Sequence, residues 1–450
     1  MSEVHTTRRP FGKWALPLLV GLAVSVSGCG VLGKKKLATP TVGNRVPVLS
    51  RIESGDKVDP SLASIAVVVP PAAANADWPQ AGNLPSKSYG NLALASAPAR
   101  IWTQTIEGSS KRQRLAASPV VGGGKIFAMD TAGIVHAWDA ATGSPRWTQS
   151  FKISGDGSSS VFGGGVSFDD GKAYVTTGVG EVAALDAETG KVLWKVKPAG
   201  PLRGSPTIAF DAVYVMTQDN QLVALNAPDG AQLWTQSGSN GLSGIFGVAA
   251  PTVGQGSVLA GFSTGELVAY RYENGRTLWG DALARTSLST TVGVLTDIDA
   301  DPIIDNGRVY ALGQGGRMAA YELVSGQRIW ELNLAGISTP AVAGDWIFVL
   351  TDQAKLLCIS RATGKVRWAT ALPAWRNAKK KKGPIFWTGP VLAGDRLWIA
   401  NTQGQIMSAN ITDGAPTELT NVGKPISLAP VVAGNTLYIL DDGGRLTAFK

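Results

Sequence analysis

Histidine and cysteine are almost missing from this sequence, with two of each in 450 residues. His5 falls in the first ten residues, so His136 stands alone in the rest of the chain. A three-histidine metal site, or a catalytic triad with a second histidine to spare, is therefore excluded. Cys358 lies in the strand-like stretch LLCIS, where a small buried hydrophobe is the expected role. Charge is sparse too, at 16% of residues. The net charge is +8, of which Arg8, Arg9, Lys13 and Glu3 in the leader carry +2, leaving about +6 for the remainder. No long basic stripe runs through that remainder, so nucleic-acid binding is not indicated. A P-loop is absent as well.

What the sequence does have is glycine, 55 residues of it, and 14 tryptophans, set in a repeat. Gly171–Trp194, GKAYVTTGVGEVAALDAETGKVLW, reads as three short strands joined by two glycine turns and ending on tryptophan. Lys125–Trp147, Ala212–Trp234, Ser257–Trp279, Arg308–Trp330 and Trp346–Trp368 repeat it. Arg396–Leu419 is a degraded copy without the terminal tryptophan. Thr436–Lys450 has only the first two strands, and Ala99–Thr103, with Trp102, supplies the missing one from the other end of the chain. The count is eight units, spaced by 38 residues (Trp330 to Trp368) to 51 (Trp279 to Trp330). A four-stranded sheet of this length cannot bury both faces alone, so the units must stack. The expected fold is all-β: an eight-bladed β-propeller of four-stranded antiparallel blades, closed by an N-terminal strand that leaves no open sheet edge. The tryptophans are expected to pack against the neighbouring blade as core.

The N-terminus reads differently. Residues 1–28 have the form of a targeting peptide, with a positive start and an apolar run, Trp14–Val26, too short to span a bilayer comfortably. The run ends in Val26-Ser27-Gly28-Cys29, which resembles the lipobox of bacterial lipoproteins. That resemblance implies lipidation at Cys29 and, with Gly30 following in place of aspartate, release to the outer membrane. With Cys29 acylated, no disulfide is expected. Thr7–Lys13 resembles a twin-arginine export motif and equally suits an ordinary basic leader. Residues 29–76, with Lys34–Lys36, scattered prolines and an alanine run, read as a lipidated tether, in which Val67–Val69 could form one edge strand. The propeller is expected over 77–450.

Three connecting segments carry the remaining chemistry. Asp297-Ile298-Asp299-Ala300-Asp301 alternates carboxylates like a calcium loop. Pro302 stands where such a loop needs glycine, and no glutamate closes it, so a solvated or partner-binding loop is expected. Lys379–Lys382 is a cationic finger between the sixth and seventh units, either a solvated loop or a contact for acidic lipid or protein. Pro201-Leu202-Arg203-Gly204 sets an apolar residue beside an arginine on a rim, as interface anchors do.

The A-x-x-G-x-x-x-W pattern, as in Asp186–Trp194, resembles the repeats of quinoprotein-type propellers. Behind a lipobox, eight such units resemble the BamB family, the lipoprotein subunit of the β-barrel assembly machinery of the outer membrane. The likeness covers the leader and residues from about 77 to 450. It implies a non-catalytic scaffold without cofactor or metal, anchored by Cys29 at the periplasmic face of the outer membrane. It further implies contacts with the POTRA domains of BamA and the rest of that complex, and with unfolded outer membrane proteins. In that family a Leu-Arg-Gly segment and an Asp-x-Asp segment grip BamA. Leu202-Arg203-Gly204 and Asp297-Ile298-Asp299 match them, giving Leu202, Arg203, Asp297 and Asp299 as the implied partner residues. The family's first leucine, two residues before Leu202, is Gly200 here. The lysine finger and the proline-rich tether are further departures.

Two other classes stay open at this stage. A pyrroloquinoline quinone (PQQ)-dependent dehydrogenase shares the propeller and the repeats, but the resemblance would require an adjacent cysteine pair and a carboxylate–calcium site that this chain does not offer. A periplasmic propeller binding peptides or cell-wall polymers is the third reading.

Overall fold

The structure is a computed structural model describing residues 55–151, 162–239, 249–283 and 296–450. The leader, Cys29, Lys34–Lys36 and the first part of the tether lie outside the described residues. All described residues belong to one compact unit, Arg51–Lys450.

Eight four-stranded antiparallel sheets make the ring, at 120–150, 164–196, 207–237, 252–282, 303–332, 341–371 and 387–421. The eighth is formed by Val431–Ala433, Thr436–Leu440 and Arg445–Phe449, and Arg100–Thr105 joins it as its outer strand. The fold is thus the eight-bladed propeller with the N-terminal strand completing the last blade. Burial follows position in the blade. Second strands such as Trp346–Leu350 are buried on both faces and read as unbroken apolar runs. Outer strands such as Thr277–Ala282 alternate between exposed and half-buried residues.

The tryptophans act as latches between blades. Each indole Nε1 donates to a carbonyl of the next blade: Trp147 to Ala187 at 3.0 Å, Trp234 to Tyr272 at 2.9 Å, Trp368 to Ile411 at 2.9 Å. Trp102, Trp194, Trp279 and Trp330 do the same. The ring lies on the glycine of the next blade's last turn, so a Cβ on Gly364 would sit 2.8 Å from Trp330, and its φ of +72° suits glycine anyway. Only the joint between blades 7 and 8 lacks this device among the described residues. Blade 7 carries Glu418 at the tryptophan spacing, and blade 8 has Ala99 paired with Lys450 where the others have a glycine turn.

The segment before the first blade does more than the sequence reading assigns it. Residues 55–76 were expected to be tether, yet the chain is fastened from its first described residues. Asp59 N donates to the Val366 carbonyl at 2.8 Å, Lys365 pairs with Asp59 at 2.9 Å, and Val67 is buried against Ala341 and Ala343. From there an arm circles the innermost strands. Asn75 bonds Val432 in blade 8, Trp78 bonds Val121 in blade 1, and Pro79 accepts from Phe168 in blade 2. Gln80 bonds Ile208 in blade 3, Pro85 and Ser86 accept from Val253 and Ile304 in blades 4 and 5, and Leu92 bonds Leu392 in blade 7. These contacts cluster where inner strands turn outward, on one face of the ring. The opposite face carries the turns between second and third strands and the connections from blade to blade.

Candidate partner-binding site

The two segments singled out in the sequence meet on that opposite face. Leu202 and Arg203 lie in the connection from blade 2 to blade 3, and Asp297–Asp299 in the connection from blade 4 to blade 5. The backbone of Arg203 is clamped between blades, its N–H donating to Met216 O at 2.9 Å and its carbonyl accepting from Gly164 N–H at 2.9 Å. Its guanidinium reaches along the turn of blade 3, with Nε on Thr217 O at 3.1 Å and Nη2 on Asn220 Oδ1 at 2.7 Å. Asn220 passes the chain of bonds to blade 4, donating from Nδ2 to Ser263 Oγ at 2.7 Å while its Oδ1 accepts from Ser263 N–H at 3.1 Å. Thr296 Oγ1 then donates to Ser263 O at 3.0 Å, and Gln314 N–H to Asp297 O at 2.9 Å. A polar row therefore crosses three blades, from Arg203 through Asn220 and Ser263 to the aspartate loop.

Burial differs from the rim expected from the sequence. Leu202 is fully buried among Tyr174, Val182, Val213 and Val215, and Arg203 and Asp297 are buried too. Asp299 is half-buried. The physical reason is close approach of a neighbouring turn: that of blade 2 comes so near that a Cβ on Gly180 would sit 2.6 Å from the Gly200 carbonyl, and this roofs the segment over.

Electrostatics mark the spot. Burial lowers the Arg203 pKa, while Asp299 and then Asp297 oppose that shift. Burial raises the Asp299 carboxyl from 3.8 to about 6, helped by Asp297 and opposed by Arg203. Among the described residues, Arg203 Nη1, Asp299 Oδ1 and Gln314 Oε1 are buried without a hydrogen-bond partner. Buried polar atoms are rarely left so, and an arginine N–H and a carboxylate oxygen that interact electrostatically without pairing are both available to a polar partner group.

Asp301, the third carboxylate of the motif, belongs elsewhere. It accepts from Ala250 N–H at 2.8 Å and faces Lys87, a fully buried lysine of the arm whose Nζ donates to Ala81 O at 2.7 Å and Thr207 Oγ1 at 3.3 Å. The three carboxylates therefore do not converge, and no cluster of three or more metal-ligating side chains forms among the described residues. His136 Nε2 meets Asp130 Oδ2 at 2.8 Å and its ring stacks on Trp138. Cys358 is fully buried, and burial pushes its thiol pKa far up. Lys379–Lys382 caps an exposed hairpin between blades 6 and 7. Sequence reasoning missed Lys87, Asn220, Ser263 and Gln314. Asn220 alone left a trace, as the end of a T-Q-D-N turn, where it adopts a φ of +63°.

The sequence matches the family described as "Outer membrane protein assembly factor BamB" over residues 90–161 and 152–370. Relatives bearing that description include one from Yersinia pestis, 27% identical over 358 residues, covering 78% of this chain and 89% of the relative. Another, from Burkholderia pseudomallei, is 28% identical and covers 78% and 87%. Among solved structures, BamB from Moraxella catarrhalis matches with a TM-score of 0.66 at 19% identity, covering 78% of this chain and 99% of that one. The quinohemoprotein alcohol dehydrogenase of Comamonas testosteroni matches with a TM-score of 0.67 at 15% identity, covering 84% and 81%, which reflects the shared fold.

Proposed function

The chain belongs to the BamB family of outer membrane protein assembly factors, and from that premise we propose that it is a non-catalytic scaffold of the β-barrel assembly machinery, holding the POTRA domains of BamA. Cys29 anchors it by lipid to the periplasmic face of the outer membrane. Leu202, Arg203, Asp297 and Asp299 build the gripping site. The carrying observation is the two unspent charged atoms, Arg203 Nη1 and Asp299 Oδ1, buried in segments that meet on one face. Leu202 and Asp297 contribute as its buried footing. Outer strands such as Thr277–Ala282 offer edges on which extended client chains could add as a further strand.

The test is co-purification of BamA from detergent-solubilised membranes. Arg203→Lys removes the guanidinium fork and Asp299→Asn removes the charge, and each is checked for a native melting curve. Retrieval is expected to fall at least tenfold, the scale of a lost charge-assisted bond. Gly200→Leu restores the family's apolar residue where a Cβ meets nothing nearer than Asp219 Oδ1 at 3.9 Å, and is expected to raise retrieval. A wild-type chain that brings down no BamA ends the proposal.

A further inference from the structure

We propose that the hairpin between blades 6 and 7 is a contact for an anionic phospholipid surface. It consists of Trp375–Asn377 paired with Lys382–Pro384 and carries Arg376 and Lys379–Lys382 on a wholly exposed tip. Its base is fixed. Ile385 N–H donates to Ala374 O at 2.9 Å, Thr402 N–H to Phe386 O at 3.0 Å, and Trp387 Nε1 to Pro373 O at 2.9 Å. Two aromatic rings are left uncovered on this rigid foot, Trp375 at 37% and Phe386 at 62% exposure.

Charge on the finger is of one sign. No aspartate or glutamate occurs between Asp352 and Asp395. The ion pairs of the neighbouring blade use other cations: Lys355 with Asp56, Arg361 with Asp305, Lys365 with Asp59. Five clustered cations beside two exposed rings match an anionic bilayer, where lysines meet head-group phosphates and aromatic rings sit at head-group depth. A protein partner fits less well. Four of the five cations are lysines, which are depleted at protein interfaces in favour of arginine, whose planar fork pairs carboxylates in fixed geometry. A fluid array of phosphates needs no such geometry.

Position agrees with the chemistry. The hairpin lies in a blade-to-blade connection, on the same face as the candidate partner site. Gly55 and Asp56, where the described chain begins, lie on that face too, against Asn333 and Lys355. Cys29 is 26 residues upstream of Gly55, so chain leading to a membrane anchor joins the propeller on the hairpin's side. This last point rests on the proposed anchor, whereas the charge and the rings do not.

The test uses the chain from residue 29 with Cys29→Ser, which keeps every residue of the compact unit and removes any acyl contribution. It is sedimented with vesicles of phosphatidylcholine alone and of phosphatidylcholine mixed with phosphatidylglycerol. Binding is expected only to the mixed vesicles and is expected to weaken with salt, since exposed charges are screened. Exchanging Lys379, Lys380, Lys381 and Lys382 together for glutamine is expected to reduce binding at least tenfold with no change in melting temperature, and Trp375→Ser/Phe386→Ser several-fold. Equal sedimentation of wild type and the lysine variant overturns the proposal. So does a lysine variant that binds vesicles like wild type but loses BamA, which would make the finger a protein contact. Because BamA is absent from the vesicle assay, failure there leaves the scaffold reading standing.

Discussion

Two buried cation–aspartate sites lie two residues apart in the chain and are finished differently. At Asp301, the carboxylate takes the Ala250 N–H, and Lys87 comes across from the arm with its ammonium already bound to Ala81 O and Thr207 Oγ1. At Asp299, the facing cation is Arg203, and each partner keeps one buried polar atom without a bond among the described residues. Both carboxyl pKa values are pushed up by burial. The first site is closed by the protein itself, fastening the arm to the blade connections. The second has the same ingredients with bonds held in reserve, as the proposed docking site would require. On the proposed function, fold stability and partner capture would thus be drawn from neighbouring residues without sharing them.

The largest expected effect comes from breaking the closed site. Lys87→Met leaves Asp301 buried without its cation and is expected to cost about 3–5 kcal/mol in urea unfolding. Adding Asp301→Asn removes the stranded charge, and the double variant is expected to recover most of that loss. A double variant as unstable as the single one would mean that Lys87 acts through packing, and the comparison would lose its closed half.

The latches between blades were legible because their chemistry is local and repeated: a turn glycine, then tryptophan at a fixed interval. The missing latch in the seventh copy was legible for the same reason. At that joint the structure shows a groove of about 430 Å³ between Leu419 and Val422 of blade 7 and Arg445 and Phe449 of blade 8, and Arg445 bonds the Val422 carbonyl across it. Trp368→Phe keeps most of the ring but strands the Ile411 carbonyl, and is expected to cost about 2 kcal/mol. The arm was illegible because it has no period and its bonds are remote, Asn75 reaching Val432 across 357 positions. Nor could hydropathy show that a neighbouring turn roofs Leu202, or that Asp297, Asp299 and Asp301, alike in sequence, divide between two sites.

The smallest effect has the opposite sign and tests the open half of the comparison. The Asp299 carboxyl titrates near 6 in the folded chain against 3.8 when unperturbed. Between those values the unfolded chain gives up this proton first, so the folded state binds more protons and stability falls as pH rises. Below about 4 the group is neutral in both states and costs nothing; above about 6 the cost is complete. A shift of this size corresponds to at most about 3 kcal/mol, and partial exposure brings it nearer 1–2 kcal/mol. Asp299→Asn is therefore expected to raise stability at pH 7.5 by that amount and to leave it unchanged at pH 4, measured by urea unfolding at both. A substitution that stabilises the free protein while weakening BamA retrieval would identify Asp299 as a charge kept for its partner. If instead Asp299→Asn destabilises the chain at pH 7.5, the carboxylate is already satisfied within the fold, and the two sites are of one kind.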